Sequence, residues 1–178
     1  TWLDRAVAGV KLEGYRLVAR RDRDDGRKCG GVAVYALEQL ASRVTLLDTS
    51  PTDERLWSLL HSDRGPYLLG VWYKPPAPGD TSGVETLRAE LDKHCEKEVG
   101  VVLLGDLNVH QQRWLRHSAR NSAEGAALQE LCGDYGLRQL VREPTRGDHL
   151  LDLLLTDLDA VKCRVLPPLA DHCLLEAT

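Results

Sequence analysis

Four short phrases carry the side chains best suited to act on an anionic group. In Val101-Val102-Leu103-Leu104-Gly105-Asp106-Leu107-Asn108 an apolar run is cut by a glycine and followed by a carboxylate and a carboxamide. A buried strand ending this way presents Asp106 and Asn108 at a rigid tip where a polar pair can be aimed. Gly105 would let a substrate or metal approach the backbone. The same spelling is also ordinary turn chemistry, with Asp and Asn bonding to nearby amides. Near the end, Ala170-Asp171-His172 follows Pro167-Pro168 and leads into Leu174-Leu175. Asp171 and His172 are metal-ligand types, and an imidazole can also donate a hydrogen bond to an anionic oxygen. Asp152 stands inside the apolar run Leu151-Asp152-Leu153-Leu154-Leu155. A carboxylate buried there needs a partner, and an imidazole is a natural one. Finally, Val71-Trp72-Tyr73-Lys74-Pro75-Pro76 reads as a strand ending in a phenol that either points at a phosphate or packs at the sheet rim.

Beyond Asp106 the charge becomes one-sided. No acidic residue intervenes before Glu124, while Arg113, Arg116 and Arg120 alternate with His110, Trp114 and His117. A cationic ledge beside the Asp106 tip could hold phosphates of a nucleic acid. The competing reading is a solvated arginine-rich loop. The Arg16 to Lys28 segment mixes both signs and reads as a solvated hairpin or loop. A formal net charge of −4 argues against a surface that binds nucleic acid everywhere, and leaves room for a local basic face. The five Cys are widely spaced with no C-x-x-C pair, so neither a disulfide framework nor a zinc knuckle is indicated.

The elements that must position these groups are mostly strands. Runs rich in Val, Leu and Tyr predict strands at Tyr15–Ala19, Gly31–Tyr35, Arg43–Leu47, Leu56–Leu60, Tyr67–Tyr73, Val101–Leu104, Leu151–Thr156 and Val161–Leu166. Helical spacing appears at Ser82–Glu96, with Val84, Leu87 and Leu91 on one stripe and a Ser82/Glu85 capping box. It recurs at Ser122–Tyr135, with Ala127, Leu128, Leu131 and Cys132 making the apolar face and Gly133 and Gly136 available as stops. Many strands with few helices predict two sheets packed face to face under outer helices. No repeat or long linker divides residues 1–178, which read as one domain. No apolar run approaches the roughly 20 residues of a membrane helix, and the start has no secretory signal. With no Met, the chain is expected to be a segment of something longer or to have lost its beginning.

Taken in order, Val71 to Pro76, Leu103 to Asn108, Leu137 to Arg146, Leu151 to Asp157 and Ala170 to Leu174, preceded by Gly30 to Tyr35, resemble the endonuclease/exonuclease/phosphatase superfamily. More closely, they resemble the apurinic-endonuclease-like domain of non-LTR retrotransposon polyproteins. The resemblance implies an α/β fold, a four-layer α/β/β/α sandwich of two mainly antiparallel sheets. It implies a DNA-nicking endonuclease that leaves a 3′ hydroxyl and a 5′ phosphate, with Mg2+, or Mn2+, as cofactor. DNA is the implied partner, beside a reverse transcriptase in the same polyprotein, and no membrane is involved. The implied location is intracellular, and nuclear when host DNA is the substrate. The superfamily leaves open a phosphatase or phosphodiesterase acting on small or lipid phosphoesters. A catalytically dead nucleic-acid-binding module is the reading outside enzymology.

Carried over by position, Asp106 is implied to orient or deprotonate the attacking water, and Asn108 to hold the phosphate and that aspartate. Tyr73 contacts the phosphate, His172 hydrogen-bonds the scissile phosphate, and Asp152 orients His172. Asp171 stands beside a second metal position. Thr145 joins Arg113, Arg116, Arg120 and Trp114 as a nucleic-acid contact. Two departures accompany this. In the retrotransposon branch the metal-binding Glu stands before a Thr-Trp-Leu phrase, and this chain begins at Thr1-Trp2-Leu3. The implied expectation is that this Glu and the first strand precede Thr1, leaving residues 1–178 alone with weak or absent catalysis. Ala170 also replaces the serine common beside Asp171-His172, a change expected to be tolerated.

Overall fold

The structure, a computed structural model, describes residues 10–23, 30–95 and 100–178. The Thr1-Trp2-Leu3 phrase, Asp24, Asp25, Arg27, Lys28 and Cys29, and the expected helix end at Glu96, lie outside these residues. The described strands are β1 (Tyr15–Arg21), β2 (Val32–Leu37), β3 (Val44–Thr49), β4 (Glu54–Ser62), β5 (Gly65–Tyr73), β6 (Gly100–Asp106), β7 (Arg138–Gln139), β8 (Asp152–Thr156), β9 (Cys163–Pro168) and β10 (Cys173–Ala177). Two helices, α1 (Ser82–His94) and α2 (Ala123–Asp134), and a 3-10 helix at Glu38–Arg43 complete the inventory.

A six-stranded sheet of order β3-β4-β5-β6-β8-β7 forms the centre. Its pairs are antiparallel except β5 with β6, which run parallel because α1 carries the chain back between them. The alternation of side chains along a strand sorts this sheet into two faces. On one face Trp57, Leu68, Trp72 and Leu103 pack with Val84, Leu87 and Leu91 of α1 and Leu128 and Leu131 of α2. Beneath α1, Glu90 receives the Arg55 guanidinium at 2.6 Å and the Trp57 indole N–H at 2.7 Å, so the buried charge is matched. On the other face Leu56 joins Ala19 and Val32, with Val71 and Tyr73 against them.

The fold is therefore mixed α/β with a large, mainly antiparallel sheet. Among the described residues the expected second sheet is not one continuous ladder: two separate two-stranded hairpins, β1-β2 and β9-β10, stand in its place. No helix among the described residues is long and apolar enough to cross a membrane.

Three local expectations are corrected. Thr81, not Ser82, stands at the N-cap of helix α1 without a side-chain capping bond, and the Asp80 carboxylate accepts from the Ser82 N–H at 3.0 Å. Gly133 lies inside α2, and Gly136, with φ +65°, follows it. The Pro167-Pro168 pair is not a break, since Pro168 pairs with Cys173. This is tolerated because β9 is an edge strand, where a missing N–H breaks no ladder.

Candidate active site

The face opposite the helices gains its polar row from register. Asp106 lies directly across from Asp152 in the β6-β8 ladder. Parallel pairing of Val71 with Leu104 carries Tyr73, two residues on, to the same level as Asp106. The backbone closes this tip, with Lys74 N–H donating to the Asp106 carbonyl at 2.9 Å and Leu107 N–H to Leu151 at 3.0 Å. Two strands thus end in Tyr73 and Asp106 and a third begins at Asp152, which puts a phenol and two carboxylates at one edge. Asn108, held at φ +48°, turns back so that its amide Nδ2 donates to the Lys74 carbonyl at 3.0 Å.

The β9-β10 turn brings His172 over this row. Its Nδ1 lies 2.7 Å from Asp152 Oδ2, and its Nε2 lies 3.9 Å from Asp106 Oδ2. With Nδ1–H donated to Asp152, Nε2 faces Asp106. Tyr73, Asp106, Asp152, Asp171 and His172 line one groove of about 430 Å3, walled by Val32 on β2 and Leu174 on β10. Burial, reinforced by the nearby Asp152 charge, pushes the Asp106 carboxyl up to about 6, against the opposing pull of His172 and Asn108. Burial, followed by the Asp106 charge, likewise raises the Tyr73 phenol. The Arg23 guanidinium stands 5.6 Å from the Tyr73 ring centre and is bound to Glu54.

Thr145 is not a surface contact. It is fully buried, and its hydroxyl accepts from the N–H groups of both Leu151 and Asp152 at 3.0 Å. Its carbonyl accepts from Cys173 N–H at 2.7 Å. One residue therefore fixes the start of β8, which carries Asp152, and the residue following His172. Asp171 lines the same groove, with its exposed carboxylate paired to Arg146 at 2.8 Å. Gly105 does not make room for a ligand. With φ +156°, it lies so close to the Trp72 carbonyl that a Cβ would collide with β5. Trp114 is half-buried against the core, whereas Arg113, Arg116 and Arg120 are exposed on the loop leaving β6.

Asp106 Oδ1 is buried without a hydrogen-bond partner among the described residues, which suits it to accept a proton or meet a cation. One oxygen is not a metal centre. Among the described residues no group of three or more His, Cys, Asp or Glu could hold an ion.

Arg146 and Thr145 are the functional positions that residue-type reasoning left without their roles. The phrase Pro144-Thr145-Arg146 marks them, but both contacts reach the β9-β10 turn more than twenty residues on. That distance is visible only once β8 and β10 are in place.

The match to a family model places the chain in the endonuclease/exonuclease/phosphatase class. Within it, the chain belongs to the endonuclease-reverse transcriptase family, whose model matches residues 68–175. No curated protein matches the chain. Among solved structures, the endonuclease domain of TRAS1, a telomere-specific non-LTR retrotransposon, superposes with a TM-score of 0.68 at 20% identity, over 92% of this chain and 79% of that one. A mannosyl-6-phosphatase of Bacteroides thetaiotaomicron gives 0.57 at 15% identity, over 94% and 77% of the two chains. An endonuclease/exonuclease/phosphatase family protein of the same bacterium gives 0.58 at 13%, over 93% and 73%. At these identities the similarity is one of fold.

Proposed function

We propose that the protein hydrolyses phosphodiester bonds of DNA, nicking one strand to leave a 3′ hydroxyl and a 5′ phosphate. The observation that carries this reading is the convergence of Tyr73, Asp106, Asp152 and His172, distant in sequence, around one groove. Asp106, with its carboxyl at about 6 and an oxygen lacking a partner, is placed to take a proton from water near neutral pH. That water oxygen forms the new P–O bond as the bond to the 3′ oxygen breaks, and the departing oxygen takes a proton from solvent to leave as a hydroxyl. The Tyr73 phenol and, in its doubly protonated form, His172 Nε2, steadied through Nδ1 by Asp152, supply donors toward the phosphoryl oxygens, while the Asn108 amide braces the Lys74 carbonyl at the same strand tip.

Mg2+, or Mn2+, is the cofactor proposed with this reading, because a divalent cation stabilises phosphoryl charge when bound. The exposed arginines at 113, 116 and 120 favour a polyanionic strand over a small phosphoester. The domain is proposed to act beside a reverse transcriptase, on nuclear DNA, where the nick supplies an extendable 3′ end. The test sets supercoiled plasmid against a phosphoinositide panel. Relaxation of plasmid without release of inositol-linked phosphate is expected; the reverse pattern sinks the nuclease reading.

A further inference from the structure

Lys74 follows Tyr73 at the tip of β5, and its side chain takes the opposite side of the sheet edge. It is 4% exposed, and its ammonium has no hydrogen-bond partner among the described residues. An ammonium withdrawn from water without acceptors is costly, so such a group calls for an anion. Lys74 borders a cavity of about 250 Å3, separate from the catalytic groove, which also meets Asp53, Glu54, Asp80 and the first turn of α1 at Ser82 and Gly83.

The acids around this cavity are engaged within the protein. Glu54 is bound by the Arg23 guanidinium and the Gly31 N–H. Asp53 accepts from the Thr52 hydroxyl at 2.9 Å and lies 3.7 Å from Arg55. Asp80 accepts from the Ser82 N–H at 3.0 Å and its hydroxyl at 2.6 Å; these bonds, and after them the Lys74 charge, hold its carboxyl below the ordinary range. Lys74 feels Asp80 through space but has no acceptor at hydrogen-bond distance. The start of α1, a helix of 13 residues, adds the partial positive charge of its aligned peptides to the same wall.

We infer that this cavity is a second phosphate subsite, in which Lys74 holds a backbone phosphate of the substrate flanking the one in the catalytic groove. The assignment rests on the phosphodiester reading above. Its geometry is tied to that site, because the Lys74 N–H bonds the Asp106 carbonyl and the Lys74 carbonyl receives the Asn108 amide. The two subsites thus lie on opposite sides of one strand tip.

The test titrates inorganic phosphate into His172→Ala protein, where the catalytic groove is impaired, and into the same protein carrying Lys74→Met or Lys74→Gln. Calorimetry and thermal unfolding read binding without reference to activity. The His172→Ala protein is expected to bind phosphate and melt higher as phosphate rises. Each Lys74 substitution is expected to weaken that binding about tenfold or more, as removal of a charge-assisted hydrogen bond should. The melting point without phosphate should not fall, because an unsatisfied buried charge has been removed. A short DNA duplex is expected to displace the phosphate. No phosphate binding by His172→Ala, unchanged affinity in either folded Lys74 variant, or no displacement by duplex overturns the subsite. Absence of plasmid nicking with these results intact would instead remove the hydrolase reading and leave a phosphate site in place.

Discussion

Replacing Asp106 with Asn should make the protein more stable while removing its activity. Asp106 lies opposite Asp152, and its side chain is only 17% exposed. Burial, with Asp152 adding to it, moves its carboxyl from 3.8 to about 6. A rise of that size corresponds to about 3 kcal/mol of folding free energy forfeited when the group ionises. The sign follows from the direction. The folded state binds this proton more tightly than the unfolded chain, so the favourable contribution is complete below the unfolded value and is lost as pH rises through the folded one. Wild type and Asp106→Asn should therefore match at about pH 3 and diverge between about pH 4 and 6. Above about pH 7 the variant should stay ahead by a constant margin of about 3 kcal/mol. For a chain of this length that margin is about 6–12 °C in melting temperature. Urea unfolding across this pH range measures it directly. A variant less stable than wild type at pH 8, or a difference that does not change with pH, would refute the reasoning.

Thr145→Val leaves the Leu151 and Asp152 amides without their acceptor and should cost about 2–5 kcal/mol by urea unfolding; a surface contact would cost almost nothing. Neutralising the exposed Arg113 and Arg116 together should flatten the dependence of log affinity for duplex DNA on log salt by about 1.8, about 0.9 for each phosphate no longer neutralised. Affinities that remain parallel to wild type across ionic strength would show that the loop is merely solvated. Removing divalent cations with a chelator should abolish nicking, and Mg2+ or Mn2+ should restore it. Full nicking in the chelator would contradict the proposed cofactor.

The legible part of the fold was the part written in local pattern. The apolar runs of β5, β6 and β8 each end or begin at a polar side chain, and period-two alternation places Tyr73, Asp106 and Asp152 on one face. The helix stripes at Leu87, Leu91, Leu128 and Leu131 were equally local, and all four are buried. What escaped depends on distant partners. Nothing near Thr145 announces that its hydroxyl serves Asp152 while its carbonyl serves Cys173. Asp171 and His172 have the same ligand-like character in sequence, yet one turns to Arg146 and the other to Asp152. Gly105 stood out correctly as special, but for a different cause, since the approaching group is the β5 backbone. The Pro167-Pro168 pair was misleading because strand breaking by proline depends on whether the strand has a neighbour on that side.

The central claim is that one groove aims water at one phosphorus atom. Cleavage of a single-site DNA duplex under single turnover in water enriched in oxygen-18, with the products weighed by mass spectrometry, tests it most directly. One heavy oxygen in the new 5′ phosphate, none in the 3′ hydroxyl, and loss of both products in His172→Ala are the predicted results. Heavy oxygen on a 3′ phosphate, or unchanged cleavage by His172→Ala, would contradict it.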